Sequence, residues 1–576
     1  MFGWVRALCA CRVHVRGFAS QVAVFGLLAA GFSPGYAESD RSALERELQS
    51  QRRDERRAAL ALEATAPTKV VAYRGSPVAD DLPCRTGLDW VLLSGSQAEK
   101  QAFSWLLDDL GDFKAACVGS RSLEALQRTL DSRLVERGLV TSRVTLTLPA
   151  GAEGRLEIRL HVGRVQALVL RDSEGSERSL PRGVLPLAAG DALDLRALEH
   201  GLENLGLARN WRTRIAIEPG STPDTSGVVI LVQRGSPWGL SVDVDNLAPP
   251  DYGRLRWRGN LSLSGVLLGP GVVNVSLQRS DRGAAAVQQT GAFSAAWAFG
   301  WHRLSLSANR TQQSRELQGA TLLFREETQD DGSSVQLQTV PWRTAAWRAA
   351  LSTQVASRRA WTRIEDIELL LQRRRVLEAE LAADLTWQSA DGSFTLTASQ
   401  RRALKNDARV PGQPAPETKP RHHDLTVQTS WSVLQRLRYT GRAQFGAVRN
   451  ATTAADLLAL GGVGTVRGYQ LQEQAVGQQL LWTRHELQGN PTWMQGSNGA
   501  VAWQLAADWG RVRSTDAPLV TPDRPHRASL SLGLQAHFAQ APFQVAHAQL
   551  LLSWPLTQLP GISRSPLAQI ALGFGL

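Results

Sequence analysis

The chain has 576 residues and a formal net charge of +11, and 43% of its residues are hydrophobic. This length exceeds what one small core organises and predicts several domains. The positive charge is spread along the chain without a basic-aromatic cluster, so no nucleic-acid partner is predicted. After the N-terminal region no apolar run approaches 18 residues, which argues against a transmembrane helix.

The first 37 residues have the pattern of an export signal. Cations precede an apolar run from Val22 to Phe32, and Gly35-Tyr36-Ala37 supplies a small-x-small cleavage site. Cleavage there removes Cys9 and Cys11, which precede the apolar run. The mature protein is expected to begin near Glu38.

Two cysteines, Cys84 and Cys117, remain in the mature chain. An even count in an exported protein favours a disulfide between them, and two unpaired core cysteines are the alternative. No residue spacing indicates a metal site. The pair His422-His423 follows a charged, proline-rich stretch and is expected to lie in a solvated loop. No cofactor is predicted.

Residues 38–64 are helix formers without Gly or Pro, and their charges cover every face. Such a helix has no apolar stripe for a dry core, so it is expected to lie in water, free or inside a wet cavity. Residues 65–81 are interpreted as a linker because they contain Pro67, Gly75 and Pro77.

A weak repeat of about 75 residues follows and predicts two small α+β units, 82–162 and 163–235. Each is expected to run β-α-α-β-β, with an edge strand able to accept another chain. In the first unit a helix capped by Ser122 is predicted. In the second, leucines from Leu195 to Leu205 mark a helix face.

From residue 236 to 576 the pattern becomes strands alone, many of about 9–11 residues with strict alternation, which is typical of a transmembrane β-barrel. In "LRYTGRAQFGA" the face with Leu437 and Phe445 is apolar, and the face with Arg438 and Arg442 is polar. About 340 residues at roughly 20 per strand and connection predict on the order of 16 antiparallel strands. A β-sandwich is the alternative, but the signal, the strand lengths and tryptophans near segment ends favour the barrel.

The stretch "GGVGTVRGYQ", from Gly461 to Gln470, resembles a nucleotide-binding loop at first sight. A phosphate-binding loop needs a following helix and Lys-Ser or Lys-Thr, whereas Arg467 is followed by Gly468-Tyr469. A flexible surface loop is the other interpretation. The loop between strands ending near Asn450 and starting near Gln479 is longer than a hairpin needs.

The strand "VAWQLAADWGRV" carries an unusual carboxylate. Alternation places Trp509 toward lipid and Asp508 toward the lumen, between the small residues Ala506 and Gly510. Small neighbours leave room for another backbone to approach Asp508.

The order of signal, polar helix, two α+β units and barrel, with "VRGY" at 466–469 and "AADWG" at 506–510, resembles the two-partner-secretion outer-membrane transporters. These belong to a superfamily with POTRA (polypeptide-transport-associated) domains. The stretches "GLVTSRV" (138–144), "LRALEHGLENL" (195–205) and 242–265 also resemble this family. The resemblance covers the whole mature chain.

The resemblance implies a role for each motif. Val466, Arg467, Gly468 and Tyr469 would form the tip of an extracellular loop folded into the lumen. There Arg467 would pair with Asp508 of the wall motif, which also contains Gly510. Residues 38–64 would plug the barrel at rest, and 82–162 and 163–235 would be periplasmic POTRA domains.

The implied function is secretion of a large unfolded exoprotein, such as an adhesin, a haemolysin or a contact-dependent toxin, across the Gram-negative outer membrane. The exoprotein, outer-membrane lipid and the barrel-assembly machinery that inserts the protein would be its partners. No catalytic residue is expected. A barrel-assembly factor of the same superfamily is the first alternative, and a passive porin is the second.

Two positions depart from the family pattern. Ala506 stands where the family usually has Phe, so looser packing against the loop is expected. The chain ends at Leu576, after Phe574, where a terminal aromatic is usual.

Overall fold

The computed structural model describes residues 73–79, 81–148, 154–180, 183–265, 270–283, 285–319, 321–407, 419–451, 454–470, 473–491, 495–496, 499–514, 525–540, 543–559 and 565–575. The predicted signal (1–37), polar helix (38–64) and terminal Leu576 lie outside these residues. Of the predicted linker, 73–79 and 81 are described. No helix in the described ranges has the length and apolar character to cross a membrane.

The first α+β unit packs helices on one small sheet. Its elements are β1 (Asp89–Leu93), α1 (Gln97–Ala102), α2 (Gly111–Ala115), α3 (Ser120–Glu136), β2 (Arg143–Thr147) and β3 (Arg155–His161). The strand order is β1-β3-β2, with β1 parallel to β3 and β2 antiparallel to it. Leu126, Leu130 and Leu134 on one face of α3 are fully buried against the sheet, as the leucine spacing predicts.

Two details of this unit differ from the expectation for its helix. Helix α3 begins at Ser120, two residues before the predicted cap. Ser122 is instead buried within the first turn, where its hydroxyl accepts a hydrogen bond from the Val78 backbone N–H (3.1 Å) and its own N–H donates to Asp81 (2.6 Å). The segment before the unit therefore lies along α3 and supplies the capping carboxylate.

The second α+β unit contains a four-stranded sheet and one helix. Its elements are β4 (Arg164–Asp172), β5 (Glu177–Ser179), α4 (Leu195–Leu205), β6 (Trp211–Pro219) and β7 (Thr225–Arg234), and the strand order is β5-β4-β7-β6. The predicted β-α-α-β-β order is wrong here: in the described part of 163–235, a short strand and a turn-rich segment stand where the first helix was expected. Residues 183–194 contain glycines at positive φ, Gly183 and Gly190, which favour turns over a helix.

The rest of the described chain forms a closed antiparallel barrel. Its wall strands are β8 (Trp238–Asp245), β9 (Arg256–Ser264), β10 (Gly271–Asp281), β11 (Ala286–Phe299), β12 (His302–Gln318), β13 (Leu323–Arg343), β14 (Trp347–Ile364), β16 (Arg374–Gln388), β17 (Gly392–Asn406), β18 (Arg421–Leu434), β19 (Leu437–Arg449), β22 (Gln479–Gly489), β24 (Gly499–Arg513), β25 (His526–Gln540), β26 (Phe543–Pro555) and β27 (Leu567–Gly575). Short pieces are β15 (Ile367–Glu368), β20 (Leu458–Leu460), β21 (Ala475–Gly477) and β23 (Gln495–Gly496).

Sixteen strands of eight residues or more thus form the wall, and β27 pairs with β8 to close it. The predicted transmembrane barrel of about 16 antiparallel strands is confirmed. Closure leaves no strand edge, so every wall strand has a hydrogen-bonding partner on both sides, as lipid requires.

Alternation sorts the wall residues between lipid and lumen. Leu530, Leu532 and Leu534 of β25 are 46–50% exposed on the outer surface, whereas Ser529 and Ser531 are nearly inaccessible. His422 and His423 lie within β18 rather than in a loop, and His422 is 6% exposed. The prediction that these histidines lie in a solvated loop is therefore wrong, because β18 begins at Arg421 and includes both of them.

Hydrogen bonds and ion pairs with the barrel show which end of the barrel the second α+β unit faces. The Gly300 N–H donates to the Gly183 carbonyl (2.5 Å), and the Asn204 amide donates to the Gly300 carbonyl (2.7 Å). Arg343 and Arg348 both bond Glu203, at 2.9 and 3.2 Å. The short β11–β12 and β13–β14 turns thus face this unit, and the 450–478 loop belongs to the opposite, outer end.

Candidate functional site

The candidate site is built on two neighbouring wall strands, β22 and β24. Alternation on β22 turns Arg484 and Glu486 to the lumen, and on β24 it turns Asp508 to the lumen. Arg484 lies directly opposite Asp508 in the strand register. These two wall strands by themselves therefore place one cation and two carboxylates close together on the lumen face.

The long loop between β19 and β22 folds back onto this wall. Within it, β20 and β21 form a two-stranded sheet whose Leu460 joins a buried apolar cluster. The other members of this cluster are Val448, Leu458, Val466, Tyr469, Ala475, Leu480, Trp482 and Val512. The described part of the loop is thus packed inside the barrel, and the alternative interpretation as an ordinary flexible surface loop is wrong.

Glycines make this close approach possible at two positions. Gly468 has φ = 85°, a conformation that side-chain-bearing residues rarely adopt. On the wall, a Cβ at Gly510 would lie 2.5 Å from Leu460 Cδ1. The glycine of the wall motif therefore makes room for the loop.

Arg467 carries the contact between loop and wall. Its Nε and Nη2 donate to the two carboxylate oxygens of Asp508, at 2.8 and 2.7 Å, and its backbone N–H donates to the same carboxylate at 3.0 Å. Its Nη1 donates to Glu486 at 2.7 Å. Arg467 and Asp508 are 4% and 3% exposed, so the guanidinium is bound on two edges and shielded from water.

Arg484 completes the arrangement. It donates from Nε to Asp508 (3.2 Å) and from Nη2 to the loop carbonyls of Val463 (2.9 Å) and Thr465 (2.6 Å). We call Arg467, Arg484, Glu486 and Asp508 the lumen ion cluster. The four groups carry two positive and two negative charges, and the hydrogen bonds between them offset part of the cost of removing these ions from water.

Sequence reasoning missed Arg484 and Glu486. Their signal was available, since both lie on the same alternating face of a strand that ends the long loop. What the sequence lacked was the register, because only the pairing of β22 with β24 puts Arg484 opposite Asp508.

The other residues of "VRGY" fix the backbone around Arg467. Val466 is fully buried in the apolar cluster. The Tyr469 hydroxyl donates to the Ala528 carbonyl of β25 (2.8 Å) and accepts from the Thr557 N–H (3.2 Å). The Arg527 guanidinium lies 5.4 Å from the Tyr469 ring centroid.

Ala506 faces the lumen directly opposite Glu486 in the register and is 7% exposed. Glu486 also accepts a hydrogen bond from Gln504 (3.0 Å). The small side chain thus adjoins the lumen ion cluster.

Cys84 and Cys117 form a disulfide that ties the start of the first α+β unit to the segment before α3. Arg85 and Val118 beside them exchange backbone hydrogen bonds, at 3.1 and 2.8 Å. The described ranges contain no group of three or more His, Cys, Asp or Glu residues placed to hold a metal ion.

The family of haemolysin secretion/activation proteins ShlB/FhaC/HecB matches residues 224–536, which is more than half of the 576 residues. The chain belongs to this family. The match includes the loop, both strands that carry the lumen ion cluster, and most of the barrel. This family member is an outer-membrane β-barrel protein.

Curated relatives agree with the assignment. The chain is 21% identical over 406 residues to an outer membrane transporter CdiB of Dickeya dadantii, which covers 69% of this chain and 71% of that protein. It is 27% identical to CdiB-2 of Burkholderia pseudomallei over 34% of this chain, and the match spans only 33% of that protein. A haemolysin transporter protein ShlB of Serratia marcescens is 26% identical over 27% of this chain and 27% of that protein.

Two solved structures share the fold. CdiB from Escherichia coli has a TM-score of 0.80 at 21% identity, covering 95% of this chain and 99% of that one. CdiB from Acinetobacter baumannii has a TM-score of 0.79 at 16% identity, covering 93% and 99%.

Proposed function

We propose that this family member recognises a large unfolded exoprotein in the periplasm and secretes it through the barrel to the cell surface. The observation that carries the proposal is the packed loop held in the lumen by Arg467. A loop held by side-chain contacts can be released from them, and a transporter needs a passage whose interior can be rearranged around a moving chain. The relatives are described as transporters, which favours secretion over barrel assembly and over a passive porin.

The lumen beside the ion cluster suits an extended polypeptide. A cavity of about 440 Å³ is bounded by residues of β13, β14, β16–β19 and β22, and its lining is polar or charged apart from Ala382 and Gly441. Arg484 and Glu486 belong to both this lining and the lumen ion cluster. Hydroxyl and amide side chains offer hydrogen bonds to any passing backbone without holding an apolar segment.

The two α+β units supply sheet edges for capture. Strands β1 and β2 form the edges of one sheet, and β5 and β6 form the edges of the other. An unfolded exoprotein would add a strand to such an edge through main-chain hydrogen bonds. Folding of the exoprotein into β structure outside the cell would then favour net outward movement, without a nucleotide or a catalytic residue.

The proposal gives Arg467 the role of tether for the loop. The test is Arg467→Ala in cells that co-express a candidate exoprotein which the unaltered protein secretes. Secreted exoprotein is expected to fall strongly while barrel abundance in the outer membrane is unchanged, because the loop loses its bidentate anchor. Arg310→Ala is a matched control, since Arg310 lies in an exposed pair with Asp331 at 2.7 Å.

Normal secretion by Arg467→Ala at normal abundance would show that the tether is dispensable.

Residues 38–64 are proposed to plug the barrel at rest. Deleting 41–62 should then raise steady conductance in planar bilayers, and an unchanged conductance would favour a permanently open porin.

A further inference from the structure

An outward-facing row of arginines crosses the outer end of three neighbouring strands. Arg402 of β17 lies directly opposite Arg421 of β18, and Arg421 lies directly opposite Arg449 of β19. All three side chains are exposed. Like charges directly opposite each other destabilise a sheet, so this arginine row works against the wall that carries it unless anions neutralise it.

A second pair repeats the arrangement on adjacent strands. Arg359 of β14 lies directly opposite Arg375 of β16, and both are exposed. None of the ion pairs between described residues involves Arg359, Arg375 or the arginine row. The neighbouring Arg401, which points to the lumen, does have a carboxylate partner in Glu378 at 3.8 Å. On the outer surface Asp331 lies directly opposite Arg359 but bonds Arg310 instead, so none of these five arginines is in an ion pair with a described carboxylate.

These arginines share a face with the lipid-exposed apolar side chains. Leu425 lies four residues from Arg421 on β18 and is 42% exposed, and Phe445 lies four residues from Arg449 on β19 and is 45% exposed. Even spacing keeps each pair on one side of the strand. The arginine row therefore borders the apolar band directly.

The opposite end of the same strands carries aromatic pairs. On β14 and β16, Trp347 pairs with Trp387 at the end opposite to Arg359 and Arg375. On β18 and β19, Trp431 pairs with Tyr439 at the end opposite to Arg421 and Arg449. The separations of 10–12 residues along these tilted strands correspond to about 25–30 Å of height. An outer-membrane barrel has an apolar band about 25 Å tall, so the arginines lie at the headgroup level of the outer leaflet.

We propose that the arginine row, with Arg359 and Arg375 beside it, binds the phosphate groups of the outer leaflet's lipopolysaccharide. A guanidinium donates two parallel hydrogen bonds to a phosphate, and neighbouring guanidinium groups share its charge. Lipopolysaccharide fits both the apolar band and the arginine row, because its acyl chains would lie on Leu425 and Phe445 while its phosphates reach the arginines. A free phosphate would contact only the arginine row.

The experiment uses the full chain purified in detergent and folded, as checked by circular dichroism and heat-modifiable migration. Fluorescent lipid A is the probe, in phosphorylated and dephosphorylated forms. The variant is R402Q/R421Q/R449Q, and the matched control R209Q/R212Q/R214Q removes three exposed arginines from the second α+β unit. A third variant, R402K/R421K/R449K, keeps the positive charges and tests whether the two parallel hydrogen bonds of a guanidinium are needed.

We expect the glutamine variant to bind phosphorylated lipid A on the order of 10- to 100-fold more weakly at low salt, with the control unchanged and the lysine variant between them. Dephosphorylated lipid A should bind all four proteins, including wild type, equally weakly. Equal binding of phosphorylated lipid A by wild type and the glutamine variant would overturn the proposal. So would equal binding of the two lipids by wild type, or an equal loss in the control, since charge alone would then explain the effect.

Discussion

The lumen ion cluster and the arginine row place the same residue type on opposite faces of one wall. Inside, Arg467 and Arg484 share Asp508, and Arg467 also pairs with Glu486, in a group that is largely shielded from water. Outside, Arg402, Arg421 and Arg449 lie opposite one another without a described carboxylate. Alternation decides whether an arginine points to the lumen or to the membrane. The residues on the neighbouring strands decide whether its charge is paired with a carboxylate or is left to bind a ligand.

The largest effect should come from removing the shared carboxylate. Asp508→Asn leaves the two cations of the lumen ion cluster with one carboxylate, which is expected to cost about 3–5 kcal/mol of the free energy of unfolding. Guanidinium unfolding in phospholipid vesicles measures it. The same change at the exposed Asp331 is the control, and equal losses at both sites would contradict the distinction between buried and exposed pairs.

A charge-conserving change at the loop tests geometry instead of charge. Arg467→Lys keeps one cation but cannot donate to Asp508 on two atoms and to Glu486 as well. The expected loss is about 1.5–3 kcal/mol, the range for hydrogen bonds to charged groups. Proteolysis of the 450–478 loop in intact cells should increase. If the lysine variant resisted protease as wild type does, a single charge at this position would suffice.

The ion pairs between the second α+β unit and the barrel should be sensitive to acid. Burial opposes ionisation of Glu203, but the His200, Arg343 and Arg348 contacts hold its pKa below the ordinary 4.5. Burial lowers the pKa of His200 below 6.5, despite its contact with Glu203. In both cases the separated state binds protons more readily, so acid favours separation.

Docking of this unit should therefore weaken as pH falls below 6.5, and more steeply below 4.5. Each titrating group contributes at most about 1.4 kcal/mol per pH unit. Hydrogen exchange of residues 195–205 measures the effect, and Glu203→Gln should flatten its steep part. Protection that stayed constant between pH 7 and 4 would contradict the prediction.

The smallest effect is expected at an exposed pair on the outer surface. Arg310 donates to Asp331 at 2.7 Å, but its side chain is 61% exposed. Replacing both by Gln and Asn should change the free energy of unfolding by less than about 1 kcal/mol. A loss as large as that of Asp508→Asn would mean that the burial of the lumen ion cluster is not what makes it strong.

Much of the barrel follows from local pattern. In β25, for example, alternation alone identifies Leu530 and Leu532 as lipid-facing and Ser531 as inward. The second α+β unit was less predictable: its one helix has a clear leucine face, but the turns at Gly183 and Gly190 replaced a helix that the repeat suggested. His422 was misplaced because a charged flanking stretch hid the start of β18.

The site divides in the same way. Arg467 and Asp508 were identified from a motif resemblance and from alternation, and the structure brings them together, whereas their roles in secretion stay predictions. Glu486 and Arg484 escaped notice because no local signal gives the register between β22 and β24.

By itself, the sequence determined the face of each wall residue, because the β period of two is a local property of the chain. It also determined that a long glycine-containing loop carries one cation. Only the tertiary structure decided which charges meet. Strand register and loop packing depend on residues tens of positions apart, and these contacts turned Arg467 and Arg484 into a balanced cluster while leaving Arg402, Arg421 and Arg449 as a row facing the membrane.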